Sequence, residues 1–125
     1  MSALRDALSH LAKADEFLLA AETSLDQALF NAATSNAVVS GINAKDAICL
    51  KLTGVTGKAD SHSSAVEELS KTGKLGRELA PTLSRLLQLK TKSQYQSATV
   101  AQVDAMRAVE WARRMRDAAA GIVRS

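Results

Sequence analysis

The stretch Leu83-Ser84-Arg85-Leu86-Leu87-Gln88-Leu89-Lys90-Thr91-Lys92-Ser93-Gln94-Tyr95 decides how the rest of the chain is read. With Leu79, the residues Leu83, Leu86 and Leu87 fall at i, i+4, i+7 and i+8, the spacing of one apolar face of an α-helix. That face runs straight into two lysines and the only tyrosine, and a new helix starts a few residues later. The apolar teeth imply a core made with other helices. The cationic and phenolic cluster at the helix exit can hold an anion.

Composition agrees with a helical reading. The 125 residues are enough for one domain with a core that needs no disulfide or metal staple. Hydrophobic residues make up 46% of the chain but aromatics only 3%. Alanine, leucine and valine must therefore build the interior, which favours closely packed helices over a sheet rich in aromatic and β-branched residues. The single cysteine, Cys49, sits among apolar residues and cannot form an internal disulfide, as expected of a small core residue in a reducing, cytoplasmic setting. No basic-then-apolar leader precedes the first helical pattern, and no stretch approaches the roughly 18 apolar residues of a membrane span. A net charge of +3 permits an anionic partner without demanding one.

Working outward, Leu4, Ala7, Leu8, Leu11, Ala14, Leu18 and Ala21 keep the helical period behind Ser2 as N-cap, and the pattern reaches about Phe30. Residues 31–36 read as a corner. A second helix over about 35–52 carries Ala37, Gly41, Ala44, Ile48 and Leu52 on one strip, widened by Val38, Ile42 and Cys49. Gly54 and Gly57 open a polar loop. Ser64 and Glu67 have capping-box spacing, which predicts a short helix over about 65–71. Gly73 and Gly76 flank a turn, and Pro81 suits a first-turn position, so the next helix covers mainly 81–92. Thr99 and Gln102 suggest another capping box before a last helix over about 100–123, with Ala101, Ala105, Ala108, Ala112, Met115, Ala119 and Ile122 inside. The expected fold is all-α: one domain over 1–125, an antiparallel up-and-down bundle of four main helices plus one short one.

Several groups can carry chemistry. Lys90, Lys92 and Tyr95 can bind phosphate or stack on a base; equally, the lysines offset a helix dipole while Tyr95 packs across the turn. Asp60, Ser61, His62, Ser63 and Ser64 hold the residue types of a hydrolytic triad, but neighbours in one loop do not adopt triad geometry. His62 remains open as a lone acid–base group or phosphate contact, beside the plainer reading of a solvated, capping loop. Arg5 and His10 form an R-x4-H string inside one helix, where about 140° separates the two side chains around the axis. Trp111, among the charges of the last helix, suits either a dimer contact or the end of the core. Two histidines and one cysteine give no zinc signature, and no glycine loop cradles phosphate, so no metal or cofactor is expected.

With the helices placed, the chain resembles the HEPN family of small helical-bundle proteins. Phe30-Asn31-Ala32-Ala33-Thr34-Ser35-Asn36-Ala37 leading into Ala44-Lys45-Asp46-Ala47-Ile48 looks like the family's small-residue second helix. Residues Gly54 to His62 are similar to its glycine loop and following histidine. Leu89-Lys90 to Gln94-Tyr95 resembles its junction of a basic residue with Asp-Tyr, ahead of a final helix rich in alanine and arginine. The resemblance implies a helical-bundle protomer, commonly dimeric, whose polar junction faces a shared cleft.

Active members of that family are metal-independent ribonucleases with an R-x4-6-H motif at the junction. Others are non-catalytic and accompany small nucleotidyltransferases in toxin–antitoxin or nucleotide-handling pairs. In this sequence Lys90 stands where the arginine is expected, Gln94 where an acid is common, and Tyr95 at or near the histidine. A phenol titrates near 10, far from neutrality, and lysine lacks the bidentate fork of arginine. The expectation is a homodimeric binder of a nucleotide, RNA or a nucleotidyltransferase-type partner, without efficient catalysis. A divergent ribonuclease using Lys90 and His62, or a structural adaptor using Trp111, are the alternatives.

Overall fold

The computed structural model describes residues 2–57, 61–95 and 99–125, and side chains for all of these except 91–95. Five helices follow one another: α1 (Ala3–Asp26), α2 (Phe30–Thr53), α3 (His62–Ser70), α4 (Lys74–Tyr95) and α5 (Gln102–Val123). Among the described residues about 85% are helical and none is in a strand. No described helix is long and apolar enough to cross a membrane.

Helix directions follow from contacts that cross the bundle. Ser40 Oγ donates to the Ala14 carbonyl at 2.7 Å, and His10 pairs with Asn43, so α1 and α2 are antiparallel. At one end of the bundle the Val100 amide donates to Asn31 Oδ1 at 2.9 Å. At the other, Lys51 Nζ donates to the Ser125 carbonyl at 3.2 Å. Thus α2 and α5 run parallel, as an up-and-down order of four long helices requires. Helix α2 packs against all the others, which explains its unusually wide buried face, from Ala33 round to Leu50.

The interior is made from the expected small residues. Helix α1 buries Ala7, Leu11, Ala14, Leu18 and Ala21, and α5 buries Ala105, Ala108, Ala112, Met115, Ala119 and Ile122. Leu4, Leu8 and Leu52 are about half exposed instead of buried, because they flank the buried stripes rather than lie on them. Ala101 is exposed as the residue that caps α5.

Four boundaries differ from the sequence-based expectation. The corner between α1 and α2 lies at 27–29, where Ala28 adopts a left-handed φ of 59°. The polar residues after it, read as a turn, are helical and serve tertiary contacts, Asn31 by accepting the Val100 amide and Thr34 by being buried. Helix α3 starts three residues early, because Ser61 and not Ser64 is the N-cap, its Oγ accepting the Ser64 amide at 3.2 Å. Helix α5 starts at Gln102 behind Ala101, without a side-chain cap.

Helix α4 starts at Lys74, and Pro81 stands inside it. Pro81 leaves the Arg77 carbonyl without its helical donor. Both residues are exposed, so that carbonyl faces solvent and the interruption costs less than it would in the core. Gly76 belongs to the first turn of α4. A side chain there would collide with the Leu69 carbonyl and the Thr72 hydroxyl, so the glycine lets α4 start tightly against the end of α3.

Candidate functional site: the α3–α4 groove and the buried Lys45 centre

A groove of about 580 Å³ runs between α3 and α4, lined by His62, Ser63, Val66 and Glu67 on one side and by Ser84 and Gln88 on the other. Its volume lies within the range of small-molecule sites. His62 is half-buried as the first residue of α3, placed there by the Ser61 cap. The serine hydroxyls around it bond to one another, Ser61 Oγ to Ser64 Oγ at 2.9 Å and to Ser63 Oγ at 3.4 Å. That arrangement organises a helix start. Glu67 would repel an anion in the groove, but Lys71 Nζ lies 3.0 Å from its carboxylate.

Gln88 lies two residues before Lys90, which is half-buried. Lys92 and Tyr95 follow in the last turn of α4, and their side chains lie outside the described residues, as does Asp60. His62 lies in the groove, whereas Lys90 does not line it, because two residues beyond Gln88 is about 200° further round α4. Trp111 is on α5 and packs half-buried against the core.

The most concentrated chemistry is at a residue not singled out as a site in the sequence, Lys45. Its side chain is 1% exposed. An ammonium has three protons to donate, and all three have acceptors: Glu68 Oε1 at 2.9 Å, Asp46 Oδ1 at 3.1 Å and Thr56 Oγ1 at 3.1 Å. Glu68 Oε1 also accepts the Gly57 amide at 2.7 Å. The Thr56 hydroxyl lies 2.6 Å from Asp46 Oδ1 and 3.0 Å from Glu68 Oε1, and its one proton can serve only one of them at a time.

His10 extends this cluster to α1. Its Nδ1 lies 2.9 Å from Asn43 Oδ1 and 3.9 Å from Asp46 Oδ2. It is the tie to α2, and not the spacing to Arg5, that gives His10 its place. Burial pushes the Lys45 ammonium down, but Glu68 and Asp46 outweigh it and hold its pKa above the ordinary lysine value. Burial likewise pushes the Glu68 carboxyl up, and bonds from Lys45, Gly57 and Thr56 reverse that and hold it below the ordinary value. The centre is thus ionised and internally satisfied.

A local signal for Lys45 did exist. Val38, Gly41, Lys45 and Cys49 are three to four residues apart and share the strip of α2 that is buried, so a lysine there needs partners. Asp46 is adjacent, but nothing local identifies the other two partners, because Thr56 and Glu68 are 11 and 23 positions away.

The family model of the HEPN domain matches residues 7–122, nearly the whole chain. The chain belongs to the HEPN domain family. None of the curated proteins compared with it gives a match.

Proposed function

We propose that this HEPN-family chain binds a nucleotide or a single-stranded RNA segment along the α3–α4 groove, without efficient catalysis. The observation that carries the reading is the shared groove itself: His62 from α3 faces Ser84 and Gln88 of α4, and α4 continues from Gln88 to Lys90, Lys92 and Tyr95. A mainly apolar groove edged by polar side chains, on a helix whose last turns carry two lysines, suits a ligand with a base or sugar in the groove and phosphate beyond it. The pairing of Glu67 with Lys71 reduces the carboxylate's repulsion of that phosphate. Catalysis is not part of the reading, because a lysine and a phenol replace the arginine and histidine of the family's nuclease motif.

Binding of a short fluorescent RNA, measured over a salt series, tests this. The double variant K90A/K92A is expected to weaken binding and to reduce the slope of log K against log salt by about 1.4, at about 0.7 per phosphate contact on a single strand. Unchanged affinity and slope would remove the groove reading. The presence of His62 in the groove keeps the divergent ribonuclease as a second reading. RNA cleavage in chelator that disappears on His62→Ala would put it first. A homodimer, with Trp111 at its contact, belongs to the same proposal and is checked by light scattering of Trp111→Ala against the parent.

A further inference from the structure

Helix α3 contributes one whole wall of the groove, yet its apolar anchors are few: Ala65 and Leu69 are its buried residues. Its packing is chiefly with α4, and its direct packing with α2 is slight. The polar attachment to α2 runs through Glu68, which accepts from the buried Lys45, with the Gly57 amide and the Thr56 hydroxyl on the same oxygen. Glu68 is next to Glu67 in sequence, so one turn of α3 faces the groove with Glu67 and α2 with Glu68. Glycines with left-handed backbone, Gly54 at φ 82° and Gly73 at φ 134°, precede and follow the helix.

We propose that Glu68 is a positioning residue for the groove: its contact with Lys45 fixes α3 against α2, and breaking it frees α3 while the four long helices stay packed. Lys45 is the natural anchor because it is immobile. A cation with three satisfied donors inside a helix bundle has no other low-energy position, whereas a solvated lysine would release its partner readily. Glu68 is accessible enough to be broken away, with 30% of its side chain exposed. The groove would then change shape without any change in the residues that line it. This inference concerns the protein alone and holds or fails whatever the groove binds.

Amide hydrogen exchange on the full chain without ligand tests it. In Glu68→Gln, which keeps the shape and removes the charge, protection of 62–70 and of Gly57 is expected to fall about tenfold or more, with α1, α2 and α5 within twofold of the parent. A second variant reaches the same contact without altering charge. A side chain at Gly57 would lie 2.7 Å from Glu68 Oε2 and 3.9 Å from Oε1, so in Gly57→Ala the end of the Glu68 side chain must shift, and the same exchange pattern is expected as its bond to Lys45 weakens. Adding Lys45→Met to Glu68→Gln removes the buried cation, which in Glu68→Gln keeps Asp46 as its charged partner. In that double variant α3 should stay exchange-labile, with α1, α2 and α5 still within twofold of the parent. Unchanged protection of α3 in both single variants would overturn the proposal. So would loss of protection in all helices together, or renewed protection of α3 in K45M/E68Q, which would assign its attachment to apolar packing.

Discussion

At the scale of single residues, the Lys45 centre sets opposite limits at the two ends of the pH range. The Glu68 carboxyl is held below its ordinary 4.5, so the unfolded chain takes up its proton first as pH falls. Its contribution is complete above about 4.5 and disappears as pH drops through the lowered value. The Lys45 ammonium is held above 10.5, so its contribution is complete below that value and disappears as pH rises through the raised one. Acid should therefore loosen α3 before the long helices, a result checked by the Gly57 amide signal in a pH titration followed by NMR. In Glu68→Gln that early step should be missing. Cys49, one turn along α2 from Lys45, reports on the same interior. Burial pushes its thiol from 9.0 up to about 11, so at pH 8 the native chain holds about 100-fold less thiolate than the unfolded one. Alkylation by iodoacetamide should be slower by at least that factor in the native state. A rate close to that of the urea-unfolded chain would show that the site is open. The stability carried by this thiol is present below pH 9 and lost as pH rises towards 11.

At the scale of elements, caps decide where the helices begin, and the caps were only partly legible. Ser2 was, because a serine stands directly before a clean apolar period, and its Oγ accepts the Arg5 amide at 3.1 Å. For α3 the sequence offers Ser61, Ser63 and Ser64, and spacing to Glu67 favours the last of them. The structure selects Ser61 because it alone provides the extended backbone, φ −145° and ψ 160°, from which its oxygen reaches an amide three residues on. That distinction is testable. Ser61→Ala should cost about 1 kcal/mol and fray the end of α3 that carries His62. Ser64→Ala removes a hydroxyl that caps no amide and should cost little. Chemical denaturation with exchange of the α3 amides separates the two, and equal losses would mean that the serine cluster acts as one unit. The polar run from Asn31 to Asn36 misleads for another reason. Asparagine, threonine and serine favour turns when only local bonds are considered, but here Asn31 bonds Val100 at 69 positions' distance. A partner so remote leaves no trace in local spacing.

At the scale of the whole molecule, the bundle was legible because short polar connections oblige successive amphipathic helices to lie side by side, and the alanine stripes of α1 and α5 fall where their period puts them. The central position of α2 was visible only as an unusually wide apolar face. Among the candidate groups, His62 and the end of α4 stood out by composition, while the Lys45 centre depends on how a loop and a short helix fold back over α2. The same central position accounts for the small residues of α2, and Gly41 tests that account. A methyl group on Gly41 would overlap the Cδ2 atom of Leu86, and Leu86 is fully buried, so it has little room to rotate away. Two effects then compete. Replacing glycine by alanine inside a helix gains about 1 kcal/mol, whereas overpacking a well-filled core costs about 1–3 kcal/mol. The packing term should win, and Gly41→Ala is expected to lower stability by up to about 2 kcal/mol in urea denaturation, with an unchanged slope. Shortening the opposing side chain reverses the balance: in Gly41→Ala with Leu86→Val the overlapping methyl is gone. The double variant should therefore be more stable than the sum of the two single effects by about 1 kcal/mol or more, the size of coupling seen between residues in contact. Additive effects would mean that α2 and α4 separate freely at this point, and that the seating of Leu86 on Gly41 does not hold the bundle together.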